Sequence, residues 1–361
     1  MISKTSLLDT ISGKKTGPVA AVTRTVLWAI TPAYRWAIAV RNRKFSRDTS
    51  AVTRVDVPVV SIGNLTTGGT GKSPMVIWVS QRLREFGLRV AIISRGYGGQ
   101  RDASGTRPND EALEMQQRLP DVPQLQDPDR IKSANIAIEE LESQCLVMDD
   151  GFQHRRLHRD LDVVLVDATN PFGYGYLLPR GLLREPIGSL ARADVVVITR
   201  CQQVNQPSID AILKVIAQAT AGDRLPPVIC QTQTVAKQWL QFDGQSMEVS
   251  DFGTIPVVAC CAIGNPDSFI KTAMQFGANV VGQKFFPDHH AFTRGDIESV
   301  VQLAREKGAH KIICTHKDLV KIAVNQFDGM PFFALQIDLE FTHGEQALIG
   351  KLRELMEGDE N

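Results

Sequence analysis

From Val57 onward, short β-branched runs alternate with stretches whose apolar residues recur at helical spacing. VPVVSIG, LRVAIIS, CLVMDD, LDVVLVD and ADVVVIT read as strands, and helices are predicted from about Gly71 and near 128–143. Strand–helix alternation of this kind predicts a mostly parallel sheet covered by helices. A second series follows, with strands PPVICQTQTV, IPVVACCAIG, NVVGQKFF, HKIICTH and FFALQI and helices near 266–277 and 294–307. Gln, Pro and Gly cluster between the two series, over 205–227, and mark a domain boundary. The predicted organisation is an N-terminal segment 1–50, a first domain 51–215 and a second 216–361, whose last helix is a candidate to pack back on the first domain.

The N-terminal segment follows a different pattern. Val26, Leu27, Trp28, Ile30, Tyr34, Trp36 and Ile38 lie between Arg24 and the basic cluster Arg41, Arg43, Lys44 and Arg47, with Pro32 and Arg35 interrupting the run. Its apolar stretches are too short for the ~20 residues that span a bilayer. Two readings stay open: an amphipathic helix in the plane of an anionic membrane interface, or one packed on the protein's own core. Charge sharpens the question. The 40 basic and 40 acidic residues cancel over the whole chain, which excludes a globally basic nucleic-acid binder, yet residues 1–56 hold ten Lys/Arg against three Asp/Glu.

With 361 residues, 43% hydrophobic and 22% charged, the chain has room for two cores without disulfides or structural metals. Its six cysteines form no CxxC pair and sit mostly in apolar runs, the pattern of reduced, buried thiols. Met1 to Gly17 lacks the apolar region of a signal peptide, so a cytoplasmic body is expected.

Chemistry concentrates where VPVVSIG runs into NLTTGGTGKSP (64–74) and an apolar-periodic helix over 75–86. Strand, glycine loop and helix in that order are the context of a nucleotide phosphate loop. Backbone N–H groups of Thr66, Thr67, Gly68, Gly69, Thr70 and Gly71 would converge on phosphate oxygens, Lys72 would bridge the β- and γ-phosphates, and Ser73 would place its hydroxyl on Mg²⁺. The spacing departs from GxxxxGK[ST], which wants glycine where Thr66 stands. Asp149 and Asp150 close the apolar run 145–148, and one of them would hold Mg²⁺ directly or through water. The expected fold is α/β: a P-loop NTPase-like, mostly parallel sheet with helices on both faces, plus a second, smaller α/β domain.

GNLTTGGTGKSP, SRGYGG (94–99), DDGFQHRRL (149–157) and THKDLVK (315–321) together resemble the tetraacyldisaccharide 4'-kinase family, the lipid A 4'-kinases, over about residues 20–340. That family carries a GNLTxGGxGK[ST]P loop, which accounts for the departure at Thr66. The resemblance implies transfer of the ATP γ-phosphate, with Mg²⁺, to the 4'-hydroxyl of an acylated glucosamine disaccharide 1-phosphate lipid. It places a peripheral or monotopic protein on the cytoplasmic face of the inner membrane, with neither nucleic acid nor an obligate protein as partner. A lipid substrate gives the basic, aromatic N-terminal segment a purpose, so an amphipathic membrane-interface helix on an anionic membrane surface becomes the expectation.

Asp110 in NDEA stands where the family has the aspartate of GDEP, with Asn109 and Ala112 replacing glycine and proline. The family pairs that aspartate with the first histidine of a D-H motif, here His289 in FPDHHAF, although the adjacent His290 leaves the choice of ring open. A sugar hydroxyl attacking phosphorus needs a carboxylate to take its proton, so Asp110 is the expected base and His289 the group that orients it. Substrate candidates are Asn64, Gln153 and His154 within these motifs, Arg95 in SRGYGG, and Arg180 and Arg184 in LPRGLLRE, arginines beside leucines that suit an acylated anion. Arg95 equally suits a tight turn, and Lys317 and Lys321, four apart, lie near nucleotide or in solvent. The rival reading, a P-loop ATPase or GTPase switch bound to a protein partner at the membrane, predicts a lysine at Thr67 or an NKxD motif, and neither occurs.

Overall fold

The computed structural model describes residues 4–96, 101–102, 105–106, 110–222, 224–264, 266–287 and 290–357. In chain order its main elements are α1 (Lys4–Ser12), α2 (Pro18–Arg47), β1 (Val59–Asn64), α3 (Lys72–Glu85), β2 (Val90–Ser94), α4 (Asp110–Arg118), α5 (Arg130–Glu139), β3 (Cys145–Asp149), β4 (Leu161–Asp167), β5 (Val195–Thr199), α6 (Gln206–Thr220) and β6 (Val228–Leu240). They continue as β7 (Pro256–Cys261), α7 (Pro266–Gln275), β8 (Asn279–Phe285), α8 (Arg294–Glu306), β9 (Lys311–Thr315), α9 (His316–Ile322), β10 (Met330–His343) and α10 (Glu345–Glu357). The chain forms two compact units, one from Met1–Arg95, Asp127–Gln233 and Phe341–Asn361, the other from Gly96–Gln126 and Thr234–Glu340.

In the first unit the sheet order is β6-β5-β4-β1-β3-β2, parallel throughout. Every residue of β1, β3, β4 and β5 is buried, which requires cover on both faces. On one side α6 sets Ile209, Ile212 and Ile216 against Val164, Val166, Val196 and Ile198. α3 buries Met75, Val76, Ile77, Val79 and Leu83, and α10 lies against β4. In the second unit β8-β7-β9-β10 run parallel, with β6 beside β10. There α8 buries Ile297, Val300, Val301 and Ala304 against Val258, Cys260, Ile312 and Cys314.

These units correct the expected boundaries. The division near 215/216 falls instead at 233/234, inside β6, because the Gln/Pro/Gly-rich stretch supplies the cap of α6, where Asn205 accepts from the Ser208 N–H, and the link to β6. Residues 96–126 belong to the second unit, although no shift in composition marks them. Nor does 1–50 stand apart from the first unit.

α2 runs unbroken across Pro32, which removes one backbone hydrogen bond from the helix interior. One of its sides packs on the protein's own core and the other is exposed. Tyr34 packs on the first unit's core, and Ala20 and Ile38 are buried. Val19, Val22, Val26, Ile30, Ala33, Ala37 and Val40, spaced by three and four, form an exposed apolar stripe that Lys44 and Arg47 continue. Trp36 beside it is 70% exposed. No described helix is long and apolar enough to cross a membrane. All six cysteines are free and buried, and burial pushes the Cys145, Cys230 and Cys261 thiols up to about 12, which leaves them inert.

Candidate active site

β1 ends at the fully buried Asn64, whose Nδ2 donates to Thr70 Oγ1 at 2.8 Å and so closes residues 65–70 into an arch. From the end of β5, Thr199 Oγ1 donates to the Thr70 carbonyl at 2.9 Å. Gly71 then begins α3 at φ +88°, a left-handed conformation that favours glycine. No side chain caps α3, and a Cβ at Gly68 or Gly69 would meet nothing within 4 Å. The arch and the first N–H groups of α3 therefore offer donors and room to phosphate oxygens.

The other edge of the arch is splinted by residues 182–184. Thr67 N–H donates to the Leu182 carbonyl at 2.8 Å, Arg184 N–H donates to the Leu65 carbonyl at 2.7 Å, and Thr66 bridges Leu183. The Thr67 N–H, expected on phosphate, is thus engaged by the splint.

Charge gathers at the mouth of the arch. Lys72 Nζ lies 3.4 Å from Asp150 Oδ1, and Arg184 Nη1 lies 2.9 and 2.8 Å from the two Asp150 oxygens. Gln153 Nε2 donates to the Asn64 carbonyl at 2.8 Å, and its Oε1 is 3.4 Å from the same Arg184 nitrogen. Burial alone would push the Asp150 carboxyl up, but Lys72 and Arg184 hold it below its ordinary value. The turn lies tight on β1: a Cβ at Gly151 would come within 2.5 Å of Ser61 Oγ. Asp149 is buried at the end of β3.

Sequence reasoning missed Arg130, the first residue of α5, buried among these charges. Its own burial and then Arg95 lower its pKa, while Asp150 and Asp149 oppose them. Only the preceding Asp129, which caps α5, marks this place in the chain. His154 follows the aspartates with Nε2 buried and without a hydrogen-bond partner among the described residues. Burial first, and then Arg130, Arg156 and Arg159, push its pKa down to about 4.

The remaining candidates separate. Arg95 is exposed at the end of β2, while Arg180 donates to the Ile11 carbonyl at 3.1 Å and lies 4.4 Å over the Tyr176 ring, against α1 rather than at the arch. Lys321 is not solvated: its Nζ lies 3.0 Å from the fully buried Asp318. Asp110 begins α4, and its side chain, like Asn109, Tyr97 to Gly99 and His289, lies outside the described residues. His290 Nε2 lies 2.9 Å from Asp296 Oδ2, and its ring stacks on Phe286 at 5.1 Å. Thr293 and then His290 hold the Asp296 carboxyl down at about 2, so His290 is committed to the cap of α8.

Among the described residues no three His, Cys, Asp or Glu side chains converge into a metal cage. Ser73 with Asp149 or Asp150 is instead the sparse oxygen set that suits Mg²⁺ held largely by nucleotide phosphates and water.

The profile of the tetraacyldisaccharide-1-P 4'-kinases, LpxK, matches residues 23–357. The tetraacyldisaccharide 4'-kinase of Anaeromyxobacter sp. (strain Fw109-5) is 36% identical over 356 residues, covering 94% of each chain. That of Geobacter sulfurreducens is 33% identical, covering 91% of this chain and 92% of its own. The crystal structure of LpxK from Aquifex aeolicus in complex with ATP superposes with a TM-score of 0.70 at 25% identity, covering 92% of this chain and 99% of that one. A match of this extent, with the phosphate arch and paired aspartates in place, makes the chain a member of the tetraacyldisaccharide-1-P 4'-kinase family.

Proposed function

We propose that this chain transfers the γ-phosphate of ATP to the 4'-hydroxyl of a tetraacyldisaccharide 1-phosphate at an anionic membrane surface, the cytoplasmic face of an inner membrane. The observation that carries the chemistry is the Lys72–Asp150–Arg184 cluster at the mouth of an open, uncapped phosphate arch, in a member of a lipid kinase family. Lys72 exchanges Asp150 for the β- and γ-phosphates, and Asp150, Asp149 and Ser73 supply oxygens to Mg²⁺. Held there, the ion would supply positive charge against the charge that develops on the phosphate oxygens. The sugar oxygen forms a bond to the γ-phosphorus as its bond to the β,γ-bridging oxygen breaks and ADP leaves. Asp110 takes the hydroxyl proton, with His289 orienting it.

An assay with γ-labelled ATP, Mg²⁺ and tetraacyldisaccharide 1-phosphate in detergent tests this reading. Label at the 4' position supports it, and ATP turnover without lipid labelling contradicts it.

The membrane part rests on the exposed stripe of α2 and on Lys44 and Arg47 at its end. Deleting α2 would uncover the core it packs on, so Val22, Val26 and Trp36 are better replaced together by serine. That variant is expected to co-sediment less with anionic vesicles than the parent, and parent binding should weaken with salt. Equal binding by the two proteins would contradict docking through this face.

A further inference from the structure

One residue, Arg184, ties three parts of the first unit together. Its N–H donates to Leu65 in the arch at 2.7 Å, its guanidinium holds Asp150, and its carbonyl accepts from Tyr34 Oη of α2 at 3.0 Å. The next residue, Glu185, is fully buried and pairs with Arg41 of α2 and, at 2.7 Å, with Arg192. The splint that shapes the phosphate arch is therefore held from behind by two side chains of the helix that carries the exposed apolar stripe.

We propose that Tyr34 is a positioning residue for nucleotide binding: its hydroxyl fixes the Arg184 carbonyl, and so holds the Cα that carries both the N–H on Leu65 in the arch and the side chain on Asp150. The carbonyl and the N–H of Arg184 belong to two planar peptides that meet at its Cα, so a shift at the carbonyl is passed through that one atom to the N–H that bonds Leu65. Ring packing alone would not need the hydroxyl, because Tyr34 already lies against the apolar cluster of Leu65, Phe152 and Val164. The inference rests on the nucleotide reading of the arch and not on the lipid acceptor.

The test compares Tyr34→Phe, which removes only the hydroxyl, with Ile38→Ala, which loosens the buried side of α2 without touching the splint. Mg²⁺–ATP binding is measured by calorimetry with no acceptor present, alongside thermal melting of each protein. Tyr34→Phe is expected to bind Mg²⁺–ATP about three- to tenfold more weakly than the parent, the effect of one partly buried hydrogen bond. Ile38→Ala is expected to melt earlier than Tyr34→Phe yet to bind the nucleotide as the parent does. Parent-like binding by Tyr34→Phe would overturn the proposal, as would an equal loss in Ile38→Ala, which would make Tyr34 an anchor only. If the parent phosphorylated no lipid, the proposed reaction would fail while this comparison still decided the role of Tyr34.

Discussion

Both units place a carboxylate near the carboxyl edge of a parallel sheet, and they use it in opposite ways. In the second unit Thr315 caps α9 by accepting from the Asp318 N–H at 3.2 Å. Asp318 Oδ2 in turn accepts from Ala262 N–H at 3.0 Å and Thr315 Oγ1 at 2.6 Å, and Oδ1 faces Lys321. That edge is closed by its own side chains and clamps β7 to β9. In the first unit α3 begins on glycine without a side-chain cap, and Asp150 keeps 37% of its side chain exposed beside Lys72 and Arg184. The same topological place becomes a ligand site where the helix N-terminus is left open, and a structural clamp where it is capped.

The largest expected effect tests whether the second unit contributes chemistry through Asp110 rather than through its clamped edge. Asp110→Asn should lower kcat by roughly a hundredfold or more, the general-base range, while Mg²⁺–ATP binding persists. A loss confined to ATP affinity would move Asp110 out of the base role. Asp318→Ala should act on stability instead. It strips the acceptor from Ala262, Thr315 and Lys321 and should cost about 2–4 kcal/mol in urea unfolding, with ATP affinity of the folded protein unchanged. An unmoved unfolding midpoint would show that the clamp is dispensable.

A smaller contrast separates His154 from His316. His154 titrates near 4 in the folded protein against an ordinary 6.5. Between those values the unfolded chain takes up a proton that folded His154 refuses, so stability present above about 6.5 is lost progressively as pH falls toward 4. His316 is also lowered by burial, but Glu114 opposes the shift and Gln117 bonds its Nε2 at 2.8 Å. His154→Gln should therefore flatten the fall in urea midpoint across that window more than His316→Gln does. A wild-type slope in His154→Gln would exclude the neutral imidazole as its source.

β2, β3 and β5 were legible because each is a short, nearly unbroken apolar run, and the arch because glycines, Lys72 and Ser73 are fixed by local spacing. What escaped the sequence lies at long separation. Tyr34 meets a residue 150 positions away and Thr67 meets one 115 positions away, and neither contact leaves a periodic trace. Arg130 looks like any helix-opening arginine until its burial beside the aspartates is seen. Lys321 lies on a helical face with Lys317 and reads as solvated, because nothing local shows that Asp318 faces inward. In α2, Pro32 concealed that one continuous helix carries both the side that packs on the core and the exposed apolar stripe.

The contrast between an open and a clamped edge is tested most directly by titrating Mg²⁺–ATP into two lysine variants, one from each edge. Lys72→Ala should bind at least tenfold more weakly and lose several kcal/mol of transition-state stabilisation. Lys321→Met should unfold earlier yet bind Mg²⁺–ATP as the parent does. Parent-like affinity and turnover in Lys72→Ala, or a nucleotide defect in Lys321→Met equal to that of Lys72→Ala, would contradict the account.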